Sequence, residues 1–194
     1  MSAEALFDGF DPPKPPPTQK VSERIMLDAL MQRYDKTVRN GGWAGKRFLR
    51  AEHVPIGLSW KRHRIADFIA MDTQSHRRGD WRAGDEQHQL APVFHGHEVK
   101  VSRSDWLTEL RDPSKSEVFK RHMHFWWLVV PDKTIVRDDL PEGWGLIAGV
   151  KGSLRIVKQA PLLTPEPMPN SLVGALLRAT TRTEATPIDE RTTP

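Results

Sequence analysis

Glu98 and Lys100 stand two residues apart in Phe94-His-Gly-His-Glu98-Val-Lys100-Val-Ser, and Asp67 lies upstream in Arg64-Ile-Ala-Asp67-Phe-Ile-Ala-Met. Each charge interrupts a strand-like apolar run. Side chains alternate across a strand, so Glu98 and Lys100 point to the same face. If the two runs pair, Asp67 and Glu98 can meet at one end of a sheet. Two carboxylates there supply hard oxygen ligands for Mg²⁺ or Mn²⁺. Such a cation acidifies a bound water and neutralises charge on a phosphate. A lysine beside it can orient or deprotonate that water, or stabilise developing negative charge. The competing reading is a salt-bridged trio at a strand end.

The elements that must hold these residues are legible in outline. Ser22 caps an amphipathic helix over 22–34, with Asn40-Gly41-Gly42 beyond its stop. Strands are expected over 46–56, 64–71 and 93–101, with a long polar loop over 72–92. Ser102, Ser104 and Asp105 read as the capped start of a helix over 102–111, rather than as a nucleophile constellation. Asp112-Pro113 ends it, and Ser114-Lys-Ser-Glu117 is a capping-box pattern opening a helix over 114–122. Phe125-Trp-Trp-Leu-Val-Val130 is an apolar run bounded by Pro131, and predicts a buried central strand. Strands over 144–150 and 153–158 flank Lys151-Gly152, and a helix follows over 168–180. The fold class is α/β, a mixed central β-sheet flanked by helices.

A chain of 194 residues predicts one domain. Pro12, Pro13, Pro15, Pro16 and Pro17 make 1–19 a disordered arm, the folded unit spans 20–181, and 182–194 reads as a disordered tail. There is neither an 18-residue apolar stretch nor a signal-peptide pattern, and there are no cysteines; a cytoplasmic protein is expected, in a bacterial or phage-infected cell. Absence of cysteine excludes disulfides and thiolate metal sites. The net charge is +4, yet residues 39–82 hold ten Lys or Arg against four acids, a local +6 that suits a polyanion. Trp43, Trp60 and Trp81 in that block are candidates for stacking on bases. His95, His97, His122 and His124 could supply a zinc site, or simply line strands and a helix end.

The run from Arg64-Ile-Ala-Asp67 through Glu98-Val-Lys100-Val-Ser-Arg-Ser-Asp105-Trp to Phe125-Trp-Trp-Leu-Val-Val-Pro131 resembles the PD-(D/E)XK nuclease superfamily. It is most similar to the MmcB-like DNA-repair group and related phage nuclease-like proteins, over roughly residues 20–160. The resemblance implies a restriction-endonuclease-like core and a metal-dependent nuclease that hydrolyses DNA phosphodiester bonds in repair, recombination or phage DNA processing. It implies Asp67 and Glu98 as metal ligands with Mg²⁺ or Mn²⁺, and Lys100 as the catalytic lysine. Glu23 on the first helix or Glu52 on the first strand would be the further carboxylate, and Gln159 could reach the site. Apart from the resemblance, Arg62, Arg64, Arg77 and Arg78 of the basic block, with Arg103, are expected to contact the DNA backbone, and a homodimer is a further expectation. Asp67 follows Ala66 where the family pattern has proline. The alternative is a non-catalytic DNA-binding or repair-accessory protein that keeps the fold.

Overall fold

A computed structural model describes residues 21–40, 43–56, 64–74, 92–150, 153–187 and 190. The proline arm, Trp60, Trp81, Arg62, Arg77, Arg78 and most of the polar loop lie outside the described residues, as does the Trp43 side chain. The first helix, α1, spans Glu23–Arg33, and Ser22 Oγ accepts the Ile25 N–H as its cap. Its buried face is Met26, Leu27, Leu30 and Met31, the helical spacing that the sequence carries.

Two short strands follow, β1 (Thr37–Asn40) and β2 (Trp43–Lys46), paired antiparallel as a separate hairpin. The main sheet has six strands in simple order: β3 (Phe48–Ile56), β4 (Arg64–Asp72), β5 (Val93–Val99), β6 (Phe125–Val130), β7 (Trp144–Val150) and β8 (Ser153–Lys158). Neighbours pair antiparallel except β5–β6 and β6–β7, which are parallel. Parallel neighbours need a crossover. For β5 to β6 it is two helices, α2 (Arg103–Arg111) and α3 (Ser114–Lys120). The last helix, α4, spans Asn170–Ala185. The protein is thus a mixed α/β fold with a six-stranded mixed sheet flanked by helices.

The core lies in two layers. Against α1 pack Phe68, Ala70, Val99, Trp127, Val129 and Ile147. The other layer joins Ile69, Trp126 and Leu128 to Trp106 of α2, Phe119 of α3 and Leu172, Ala175 and Ala179 of α4. Trp126 lies flat across the strand beside it because Gly96 has no side chain; a Cβ there would collide with the indole ring and crowd Met123.

Three sequence expectations change. Thr37–Asn40 and Trp43–Lys46 pair antiparallel where the sequence predicts only the end of a helix, and Asn40-Gly41-Gly42 is a turn sequence that suits such a pair. The strand expected from Lys46 therefore begins at Phe48. The capping box at Ser114 does not form: Pro113 holds the cap position without a side-chain bond, and Ser114 Oγ donates to Asp112 Oδ1. Finally, α4 runs to Ala185, so the segment from 182 opens inside a helix. Tertiary contacts outweigh its polar composition. Arg182 donates to Glu52 O (2.9 Å), Thr183 Oγ1 accepts the Glu52 N–H (3.0 Å), and Glu184 takes a two-bond contact from Arg50.

Candidate functional site

The β4–β5 ladder ends at Phe68↔His97. Beyond it the strands part, and Asp67 fills the opening. Its Oδ2 accepts the Val99 N–H at 2.7 Å, where a strand carbonyl would otherwise sit. Burial pushes Asp67 up to about 6, against the pull of Lys100 and of that N–H.

Glu98, across the opening, is buried, and its Oε1 lies 2.6 Å from Lys100 Nζ. Lys100 follows the last residue of β5, and its N–H is held by Val129 O at 3.0 Å. On its far side the ammonium lies 3.4 Å from Glu109 Oε2 of α2. Glu109 is buried too, and its Oε1 has no hydrogen-bond partner. These groups line a cleft of about 500 Å³ with Arg64, Ile65, Asp112 and Lys115 at its sides. Burial and the charge on Asp67 raise Glu98 well above the carboxylate range, with Lys100 pulling the other way. Burial alone would lower Lys100, but Glu98, Asp67 and Glu109 outweigh it and hold it above the usual lysine value. The lysine is therefore a firm cation, and Asp67, Glu98 and Glu109 share it. A cationic lysine donates hydrogen bonds and stabilises negative charge; it does not serve as a base in this state.

The open end of the sheet is roofed by the start of α1. Glu23 Oε1 lies 3.2 Å from His53 Nε2 of β3, a bond that lowers the Glu23 carboxyl, and Glu23 also feels the charge of Lys100. The rival carboxylate, Glu52, is buried in a two-bond pair with Arg24 (2.7 and 2.8 Å) and ties β3 to α1. Glu23 thus falls with Asp67 and Lys100, whereas Glu52 is engaged as a strut.

Arg64 donates both to the Ser114 carbonyl and to Ser114 Oγ, and remains on the cleft wall. Arg103, the first residue of α2, is bound to Asp139 (2.5 Å) and to Ile135 O (3.0 Å). Gln159 is not brought to Asp67 and Glu98; it lines a separate cavity of about 790 Å³ with Tyr34, His95 and Trp127. The histidine pairs are taken up by the framework. His97 bonds Tyr34 Oη (2.9 Å) and Phe68 O (3.3 Å), His95 bonds Trp127 Nε1 (3.4 Å), His122 bonds Glu166 O (3.2 Å), and His124 accepts the Phe94 N–H (3.1 Å).

Two residues at the site were not singled out from sequence, His53 and Glu109. Glu109 was findable, because it follows Trp106 by three positions and so shares the buried face of α2. His53 carries no such signal.

Among the described residues, no three His, Asp or Glu side chains stand close enough to grip a metal ion as they are. The donor set nevertheless fits a hard cation. It is all carboxylate, Glu98 in it is buried beside one lysine, and one oxygen of the neighbouring Glu109 has no partner. Asp67 and Glu98, with Glu23 from α1, would hold it.

No family model and no curated protein matches the chain. Among solved structures, a protein of unknown function from Silicibacter pomeroyi is similar over 72% of this chain and 75% of its own, with 16% identity and a TM-score of 0.44. Among the described residues, no helix is long and apolar enough to cross a membrane.

Proposed function

We propose that the chain is a metal-dependent nuclease of the PD-(D/E)XK superfamily that hydrolyses DNA phosphodiester bonds, in repair, recombination or phage DNA processing. The observation that carries this reading is the parting of β4 and β5, which sets Asp67, Glu98 and Lys100 around one opening beside a 500 Å³ cleft. The chain order α1, β3, β4, β5, α2 and α3, β6, with two antiparallel pairings and then a parallel one, is the order expected of a restriction-endonuclease-like core and supports it.

A divalent Mg²⁺ or Mn²⁺ ion held by Asp67, Glu98 and Glu23 would supply an acidified water and charge neutralisation at the phosphate. The residues of the chain do the rest. Asp67 and Glu98 present hard oxygens once their protons leave. Lys100, a cation, exchanges Glu98 for the scissile phosphate or the attacking water and steadies the charge that builds on phosphorus. Arg64 and Lys115, on the cleft wall, orient the neighbouring phosphates. In the hydrolysis one P–O bond forms from water, one P–O bond to the sugar breaks, and the water proton ends on the leaving oxygen. The local basic block of residues 39–82 draws the duplex in.

Incubation of the full chain with plasmid and branched DNA, with and without Mg²⁺ or Mn²⁺, tests the reading. Metal-dependent cutting that Asp67→Ala and Lys100→Ala abolish supports it. Wild type that shifts DNA but cuts nothing with either metal overturns the enzyme and favours a non-catalytic DNA-binding protein of the same fold.

A further inference from the structure

His53 is the one described non-glycine residue with a positive φ, at +49°. Histidine is tolerated in this left-handed region, but glycine would sit there without strain. The β3–β4 register pairs Glu52 with Phe68 and Val54 with Ala66, so His53 and Asp67 face each other across a gap in the ladder. The usual alternation of faces breaks at this gap. Phe68, and the Glu52 side chain on Arg24, belong to the α1 side, whereas Val54 and Ala66 pack with α2–α4.

The kink is held from two directions. Arg182 of α4 donates to Glu52 O (2.9 Å) and His53 O (3.3 Å), and Thr183 Oγ1 accepts the Glu52 N–H (3.0 Å). From α1, Arg24 grips the Glu52 carboxylate through two bonds. A strained residue this firmly fixed, opposite an acid in a split between strands, is the pattern of a backbone distorted to aim a side chain. What it aims is the imidazole. Nε2 meets Glu23 Oε1 at 3.2 Å, and since a carboxylate only accepts, Nε2 carries the proton.

We propose that His53 is a positioning residue for the cation site. Its Nε2–H holds one oxygen of Glu23, so that the other is turned toward Asp67 and Glu98 to complete the ligand set. The inference rests on the nuclease reading and adds to it the source of the third carboxylate's orientation. It also accounts for the ladder break. A regular β3 would carry its side chain at this position to the wrong face, and Glu23 would swing freely at the first turn of α1. Groups that orient metal ligands in this way typically change affinity by about 10- to 100-fold when removed.

The test measures Mn²⁺ affinity and melting temperature on the full chain for wild type, His53→Gly, His53→Gln and Asp67→Asn. Glycine removes the imidazole and relieves the backbone; glutamine restores a donor that reaches Glu23. The expected result is a His53→Gly protein that melts at or above the wild-type temperature yet binds Mn²⁺ about 10-fold or more weakly. His53→Gln should recover most of that affinity. Wild-type affinity in His53→Gly overturns the positioning role and leaves the nuclease reading intact. So does a loss of affinity that follows a fall in melting temperature and that glutamine does not rescue. Wild type that binds no more Mn²⁺ than Asp67→Asn overturns both.

Discussion

Lys100 Nζ lies 2.6 Å from Glu98 Oε1, with Glu98 buried and Lys100 partly exposed along one cleft. The pair is not isolated, because Glu109 approaches the same ammonium at 3.4 Å and Asp67 faces it across the strand opening. One cation thus serves three acids, and that imbalance governs the predictions that follow.

Replacing Lys100 by methionine leaves Glu98 and Glu109 buried without their cation. Removing one partner of a buried pair costs about 3 kcal/mol. Denaturant unfolding at pH 7 should show a loss of that order in the variant. Pairing it with Glu109→Gln should recover part of that loss, and a loss left unchanged would mean that the lysine contributes packing rather than charge.

Asp67 opposes stability at neutral pH. Its folded-state value is raised to about 6 from 3.8, so the folded protein binds its proton more tightly than the unfolded chain does. Stability therefore falls as pH rises from about 4 to about 6, and the penalty is complete above that window. Asp67→Asn keeps an acceptor for the Val99 N–H and removes the charge. It should raise stability at pH 7 by about 2 kcal/mol, flatten the wild-type decline between pH 4 and 6, and abolish DNA cutting.

Divalent cations should reverse the same penalty in the wild type. With Mn²⁺ at about 100 times its Kd, linkage gives about 2.7 kcal/mol, read as a rise in melting temperature that a chelator removes. Because Asp67 must release its proton to bind, the shift should weaken as pH falls through about 6. A shift of constant size from pH 5 to 8 would place the cation elsewhere.

Arg24 and Glu52 make a framework contact. Arg24→Met removes the two-bond partner of a buried carboxylate, and should cost about 3 kcal/mol in denaturant unfolding. Gly96→Ala is expected to cost about 2 kcal/mol through the displaced Trp126 ring, with a blue- or red-shifted tryptophan emission marking the rearrangement.

Much of this was readable in the chain. The apolar runs around Asp67, Glu98 and Phe125 carried strand signals strong enough to place β4, β5 and β6, and pairing of the first two brings Asp67 and Glu98 to one end of the sheet, but the gap in their ladder has no local signal. That Glu23 lies in the first turn of a helix was readable from Ser22 as its cap; its place as a candidate ligand came from the family resemblance, with Glu52 as rival. Other parts depend on tertiary contacts that leave no local trace. The φ of His53 is set by Arg182 and Thr183, some 130 residues away, so nothing in Ala51-Glu52-His53-Val54 announces a kink. The last turn of α4 is polar because its partners are β3 backbone groups and Arg50, and such a turn looks like a tail until its partners are known. Glu52 and Glu23 are alike by type; Arg24, beside Glu23 in the chain, pairs with the Glu52 carboxylate, a contact that the sequence does not announce.

The side chains of Arg182 and Thr183 that occupy the Glu52 backbone have a second effect, on how copies of the molecule can meet. They occupy the outer rim of β3, while at the opposite rim no described strand pairs with the far side of β8, where Ile156 and Val157 stand exposed. An exposed rim invites another strand, and Arg155 and Lys158 guard it with charge. Where α4 engages the Glu52 backbone, β3 has no spare groups to offer a further strand, so a strand added at β8 of one molecule would not find its match at that point of β3 in the next.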